Sequence, residues 1–216
     1  MIGTRLTTAA LCAVLAVGGC SIGKPLPEAT TYVVDPPAGA VRVLATAGRP
    51  MSLRIGAVRI AAPYAGTALV YRLDDVQYTP DPYHAFLTDP GEMLASRIAT
   101  WLDECGLFSS VAQPGSARSA PYVLEATVTE LYGDFRENRP PAAVLAVQFT
   151  LLEQVGARPK VVYERTAARH IALARGTPEA LVRAYGTALG QILEELAPEI
   201  RAASATAEPS VASQFP

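Results

Sequence analysis

Residues 89–106 read Asp-Pro-Gly-Glu-Met-Leu-Ala-Ser-Arg-Ile-Ala-Thr-Trp-Leu-Asp-Glu-Cys-Gly, and this stretch carries a complete set of helix signals. Asp89 can cap the first turn, Pro90 fits the first helical position, and Glu92 stands where a capping box places its acid. Leu94, Ile98, Trp101, Leu102 and Cys105 follow at steps of four, three, one and three, which puts them on one apolar face. Gly106 is placed to end the helix. Asp103 and Glu104 occupy the last turn, where the helix dipole disfavours acids. A second helix begins at Thr177, with Pro178 after it. Its core face is Leu181, Tyr185, Ala188, Leu189, Ile192, Leu196 and Ile200, and Pro198 is expected to kink or loosen the last turn.

The segments between and before the helices alternate or run apolar, as strands do. Thr31–Val34 reads as a short first strand. Asp35–Pro50 reads mainly as loop, with a brief apolar run at Val41–Leu44. Ser52–Ile60 is a strand with an irregularity near Gly56. Pro63–Gly66 is a turn, and Ala68–Leu73 is a strong strand. Asp74-Asp75 turns the chain into Val76–Thr79, making a hairpin. Leu107–Val111 is a short strand and Gln113–Pro121 a loop. Tyr122–Leu131, Ala143–Leu152 and Val161–Arg169 form an antiparallel meander through turns at Asn138–Pro141 and Val155–Pro159. Ala143–Leu152 is apolar on both faces and so is central. Two helices and about seven strands give an α+β domain: a single mixed or antiparallel sheet with two amphipathic helices packed on one face.

The N-terminus is of a different kind. Arg5 and the α-amino group precede the apolar run Leu6–Val17, and Val17-Gly18-Gly19-Cys20 closes it. About a dozen apolar residues make roughly 18 Å of helix, against roughly 30 Å of bilayer core, so the run suits an export signal rather than a membrane span. A cysteine behind two small residues has the form of a lipobox. Residues 1–19 are therefore expected to be a lipoprotein signal peptide, with Cys20 lipidated and residues 20–30 a proline-bearing tether. Residues 31–203 form the domain and 204–216 a disordered tail. Ser21 after the cysteine points to the outer membrane, with the domain facing the periplasm. Of the three cysteines, Cys12 leaves with the signal and Cys20 is lipidated. Cys105 remains, so no disulfide can form within the processed chain. The formal charge of −2 gives no reason to expect nucleic acid.

No catalytic signature emerges. There is no Gly-x-Ser-x-Gly elbow, Cys-x-x-Cys, phosphate loop or His-Glu-x-x-His. His84 and His170, the two histidines, stand apart and away from metal-ligand spacing. Asp74-Asp75 is a turn, Glu194-Glu195 a wet helix face, and Cys105 an inert core thiol. The reading therefore assigns no catalytic residue, cofactor or metal. Two features are candidate contacts for a partner or for phospholipid. One is the basic run Arg158, Lys160, Arg165, Arg169 and Arg175, of which Arg165, Arg169 and Arg175 are carried forward. The other is an aromatic group in a Pro- and Asp-rich stretch, Tyr83 and Phe86 with Tyr78.

The order of these pieces resembles the ABC-type transport auxiliary lipoprotein family, which includes the paraquat-inducible-type lipoproteins. The residues that carry the resemblance are Leu53–Gly56, Val70–Arg72, Tyr83–Phe86 and Pro90–Leu94, then Gly106–Phe108 with Val111, Tyr122–Glu125 and the helix Ala180–Leu196. Members often have Trp where Phe86 stands. The resemblance implies a non-enzymatic lipoprotein of an ABC-type intermembrane lipid transport system. It would act beside a permease, an ATPase and a mammalian-cell-entry-type periplasmic protein, docked at the outer membrane through lipidated Cys20. An assembly or pilot lipoprotein for another outer-membrane complex is the alternative, and homo-oligomerisation is left open.

Overall fold

The computed structural model describes residues 28–37, 51–154 and 158–207. Eight strands and two helices follow one another along the chain. They are β1 (Thr30–Tyr32), β2 (Ser52–Ile60), β3 (Ala68–Arg72), β4 (Tyr78–Phe86), α1 (Pro90–Glu104), β5 (Ser110–Ala112), β6 (Tyr122–Asp134), β7 (Ala142–Glu153), β8 (Lys160–Ala172) and α2 (Pro178–Ala207). A single turn of 3-10 helix, Ala62–Tyr64, stands where the sequence predicts a turn.

All eight strands join one mixed sheet. The expected meander is present: β6 pairs antiparallel with β7, and β7 with β8. On its other side β6 takes two parallel neighbours, β2 along its first half and β3 at its last two residues, Gly133 and Asp134. The ladder of β2 on β6 slips between Ile55 and Val58, around the expected irregularity. A Cβ on Gly56 would stand 3.0 Å from both Glu125 Cγ and Val123 Cγ1, so the slip is built on a residue without one. β1 lies parallel to β4 at the sheet edge, with Thr30 opposite His84 and Tyr32 opposite Phe86.

Both helices cover one face of the sheet and share one core. α1 packs on β2 and β5, and α2 on β7 and β8. Every apolar position expected of α1 and α2 is buried in that core, together with Leu145, Val147, Phe149 and Leu151 of β7. The Asp89 carboxylate accepts from the backbone N–H groups of Gly91 and Glu92, at 2.8 and 3.1 Å. Gly106 has φ 72°, the left-handed conformation a helix end requires. Asp103, unfavourable toward the dipole, has a use of its own: its carboxylate accepts from Val111 N at 3.1 Å and so ties β5 to α1.

Several expectations are corrected. The strand after the Asp74-Asp75 turn, expected at Val76–Thr79, begins at Tyr78 and runs to Phe86, through the Pro- and Asp-rich stretch. Pro80 and Pro82 are tolerated because β4 gains β1 as a neighbour only from His84 onward, so before that point one of its sides is open. The strand expected at Leu107–Val111 is confined to Ser110–Ala112. α2 continues through Pro198 and past Ala202 to Ala207. Pro198 is exposed, so the carbonyl it leaves unpaired can meet water, while Leu196, Ala197 and Ile200 hold the helix to the core. Residues 204–207, assigned to a tail, are helical, and Tyr122 donates its hydroxyl to the buried Ser204 carbonyl at 3.1 Å. The rest of that tail, the Val41–Leu44 run, the signal and Cys20 lie outside the described residues. No helix among the described residues is long and apolar enough to cross a membrane.

Candidate functional site

The basic run does not form one free patch. Arg165 and Arg169, four residues apart on one face of β8, both turn toward α2, where Glu195 and Glu199 stand one helical turn apart. Arg165 reaches Glu195 at 2.9 Å and also pairs with Glu199, Arg169 pairs with Glu195, and Tyr163 donates its hydroxyl to Glu199. The Arg169 guanidinium beside it holds the Glu195 carboxyl below the usual range. The Tyr163 hydroxyl and Arg165 do the same for Glu199. Tyr163 is pushed up to about 12, first by burial and then by Glu199. Arg165 and Arg169 thus clamp the edge strand to the helix. Arg175 stands apart, exposed in the β8–α2 connection.

The aromatic candidates divide as well. Phe86 is 3% exposed and packs on Tyr185, with ring centroids 6.3 Å apart, so it belongs to the core and not to a contact surface. Tyr83 is exposed on β4. Between them lies a polar knot that the sequence reading missed. The Asp81 carboxylate accepts from the Tyr71 hydroxyl at 2.7 Å and from the backbone amides of Tyr83 and His84, and it meets His84 Nδ1 at 2.8 Å. Burial pulls its pKa upward, but the Tyr71, Tyr83 and His84 donors outweigh burial and the carboxyl ends below its ordinary value. The signal was the i, i+3 spacing of Asp81 and His84, hidden by the flanking prolines. Among the described residues no group of His, Cys, Asp and Glu could hold a metal ion. Cys105 donates its thiol to Leu102 O at 3.1 Å inside the core, and burial raises its pKa. His170 is exposed on β8, opposite Val144.

One end of the sheet gathers the remaining features. The β3–β4 tip (Leu73–Gln77), the β6–β7 turn and the β8–α2 connection all lie there, because β3 and β6 run parallel and Ala172 pairs with Ala142. An open cleft of about 540 Å³ is lined by Leu73, Asp74, Asp75, Gln77, Arg136, Glu137, Asn138 and Arg139. Arg136 forms its spine. Its Nη2 meets Asp134 Oδ2 at 2.6 Å and its Nη1 meets Asp75 Oδ1 at 2.7 Å. Those hydrogen bonds hold both carboxyls below the usual range and raise the guanidinium further. The Asp74 carboxylate pins the tip by accepting from Val76 N and Gln77 N, each at 2.7 Å. Val76, foremost on the turn, is 88% exposed. An apolar residue inside the polar turn Asp-Asp-Val-Gln was the sequence signal for this end.

On the helix side the chain behind β1 forms a strap. Val34 N meets Met93 Sδ at 3.4 Å, Asp35 pairs with Arg97 at 3.2 Å, and Trp101 Nε1 donates to Pro37 O at 3.2 Å. The same residues lie on α2 at Gly186 and Gly190, where a Cβ would collide with Asp35 and crowd Pro37. At the start of β1's last residue, Tyr32 donates its hydroxyl to Glu179 Oε1 of α2 at 2.9 Å. Residues 32–37 therefore fasten the incoming chain to both helices.

A family model described as the ABC-type transport auxiliary lipoprotein component matches residues 32–197, from this strap to the last turns of α2. The chain belongs to that family. The fold recurs in a crystallised Xanthomonas campestris protein of the DUF330 group, at 18% identity and TM-score 0.64, over 82% of this chain and 95% of that one. A second crystallised protein, described as uncharacterized, shares it at 16% identity and TM-score 0.62, over 80% of this chain and 99% of that one. No curated protein matches the sequence.

Proposed function

We propose that the protein is the non-catalytic, lipid-anchored component of an ABC-type system that moves lipids between the two membranes of the envelope. It is held through Cys20 at the outer membrane and works in the periplasm with a permease, an ATPase and a mammalian-cell-entry-type protein. The observation that carries this reading is the family match at residues 32–197, beginning twelve residues after the lipobox cysteine. ATP hydrolysis would belong to another subunit, and the phospholipid cargo would be handled by the assembly.

Affinity purification of the full chain from gently solubilised envelopes tests the reading. Recovery of the ATPase, the permease and the entry-type protein is the expected result. Recovery of none of them, with normal lipid distribution between the membranes of a deletion strain, overturns it. Cys20→Ser is expected to leave a folded periplasmic domain that no longer sediments with membranes. Persistent membrane association of that variant would sink the anchor assignment.

A further inference from the structure

We infer that the hairpin end of the domain rests on the lipid surface that holds the anchor, with Val76 entering it and Arg139 and Arg175 beside it at headgroup level. The inference rests on lipid attachment at Cys20, as proposed above.

The first argument is the direction and length of the tether. β1 runs parallel to β4, so the chain enters Thr30 from the side of the β3–β4 tip. Thr30 stands opposite His84, and β4 begins six residues earlier, at Tyr78. At about 3.4 Å per residue the hairpin therefore reaches about 20 Å beyond Thr30 toward the anchor. The ten residues from Cys20 to Thr30 span at most about 35 Å when fully extended. The tip can then stand no more than about 15 Å above the surface along that direction, and any shorter conformation closes the gap.

The second argument is the chemistry of the tip. Val76 projects from a turn whose backbone is fixed by Asp74, and Leu73 beside it is 40% exposed. Nothing among the described residues covers Val76. An exposed apolar residue on a pinned turn, at the anchor end, fits the apolar boundary of a bilayer. Charge does not oppose the approach. The three segments at this end, residues 72–77, 134–139 and 173–177, hold Arg72, Arg136, Arg139 and Arg175 against Asp74, Asp75, Asp134 and Glu137. Asp75 and Asp134 are already bound to Arg136, while Arg139 and Arg175 are exposed. Exposed arginines at the same end of the sheet as an apolar tip are suited to phosphate headgroups.

The test uses the lipidated full chain in vesicles of phosphatidylethanolamine and phosphatidylglycerol. An environment-sensitive fluorophore is placed at Val76→Cys, at Leu73→Cys, and at Ala117→Cys in the loop at the other end of β6. Cys105 is buried, and the unsubstituted chain measures any label it takes up. Thermal melts establish that each variant is folded. The expected result is a blue shift at residue 76, a smaller one at 73, protection of both from aqueous iodide and quenching by labelled lipid. The label at 117 is expected to stay in water. A chain that floats with the vesicles while its label at 76 behaves like that at 117 overturns the inference and leaves the anchor intact; that outcome would turn attention to a protein partner for the tip. A chain that does not float with the vesicles removes the anchor reading, and this inference with it.

Discussion

The backbone of Asp35 occupies the space that a side chain on Gly186 would need: a Cβ there would stand 3.0 Å from the Asp35 carbonyl carbon and closer still to its oxygen. Gly190, one helical turn on, leaves room for Pro37 in the same way, at 3.1 Å from the proline Cδ. The strap can lie directly on α2 because these two residues have no side chain. Gly186→Ala is therefore expected to lift the strap or shift the helix, costing about 1–3 kcal/mol as overpacking does. At about 2–4 °C per kcal/mol for a domain of this size, the loss is visible in a thermal melt. Hydrogen exchange should rise at the amides of residues 32–35 before it rises in β7. A melt unchanged by the substitution would show that the strap does not sit as described. Gly190→Ala meets a proline ring edge instead of backbone and should cost less.

The first turn of α1 offers a cleaner comparison. Asp89 accepts from two backbone amides there, and Asp103 at the far end accepts from Val111 N. Asp89→Ala removes the cap and is expected to cost about 0.5–2 kcal/mol. Asp103→Asn keeps an acceptor for Val111 while removing a charge the helix dipole opposes, so it should be close to neutral or slightly stabilising. Urea denaturation with unchanged m-values would check both; a cost at Asp103 equal to that at Asp89 would contradict the assignment.

Local signals made the helices legible, and non-local ones hid the rest. Asp89, Pro90, Gly106 and the apolar spacing act within one segment, so α1 could be read from its own residues. Most of β4, from Pro80 on, could not. Pro80, Asp81 and Pro82 have the composition of a turn, and their extended state is imposed by β3 and by the knot on Asp81. Arg165 and Arg169 could be placed on one strand face by their spacing. What they meet depends on the packing of α2, which brings Glu195 and Glu199 from about thirty residues away in the chain. The end of α2 was missed for a related reason: Pro198 and the loss of apolar periodicity beyond it argue against helix, while burial of Leu196, Ala197 and Ile200 holds it. The strap was invisible because Gly186 and Gly190 look like poor helix residues until something is laid on them.

Arg136 ties an exposed acid to a buried one, and the two should not be equal in substitution. Asp134 is buried, and its side chain is 8% exposed, whereas that of Asp75 is 85% exposed. Arg136→Ala strands the Asp134 carboxylate without its main partner and is expected to cost about 1–3 kcal/mol. Asp75→Ala leaves the Asp134–Arg136 pair in place and, because Asp75 is solvent-screened, should change stability far less. Denaturation of both variants beside the double variant checks the ranking. Equal costs would mean that Asp134 finds another partner.

Acid should loosen the edge strand from α2. Glu195 and Glu199 both have carboxyls held below their ordinary value in the folded protein, by Arg169 and by Tyr163 with Arg165. A carboxyl whose folded pKa is depressed stabilises the fold fully above its unfolded pKa, and loses that contribution as the pH falls through the folded value. The clamp is therefore complete at neutral pH, begins to weaken as the solution enters the ordinary glutamate range, and is gone once both groups are protonated. Glu199→Gln removes the part of the clamp that depends on the Glu199 charge. The expected outcome is a lower melting temperature than wild type at pH 7 and a difference that shrinks toward acid pH. High salt should also shrink the difference at pH 7, because the pairs are partly exposed and screened. A gap between the two melting curves that stays constant from pH 7 into the acid range would mean that the ion pairs do not hold β8 to the helix.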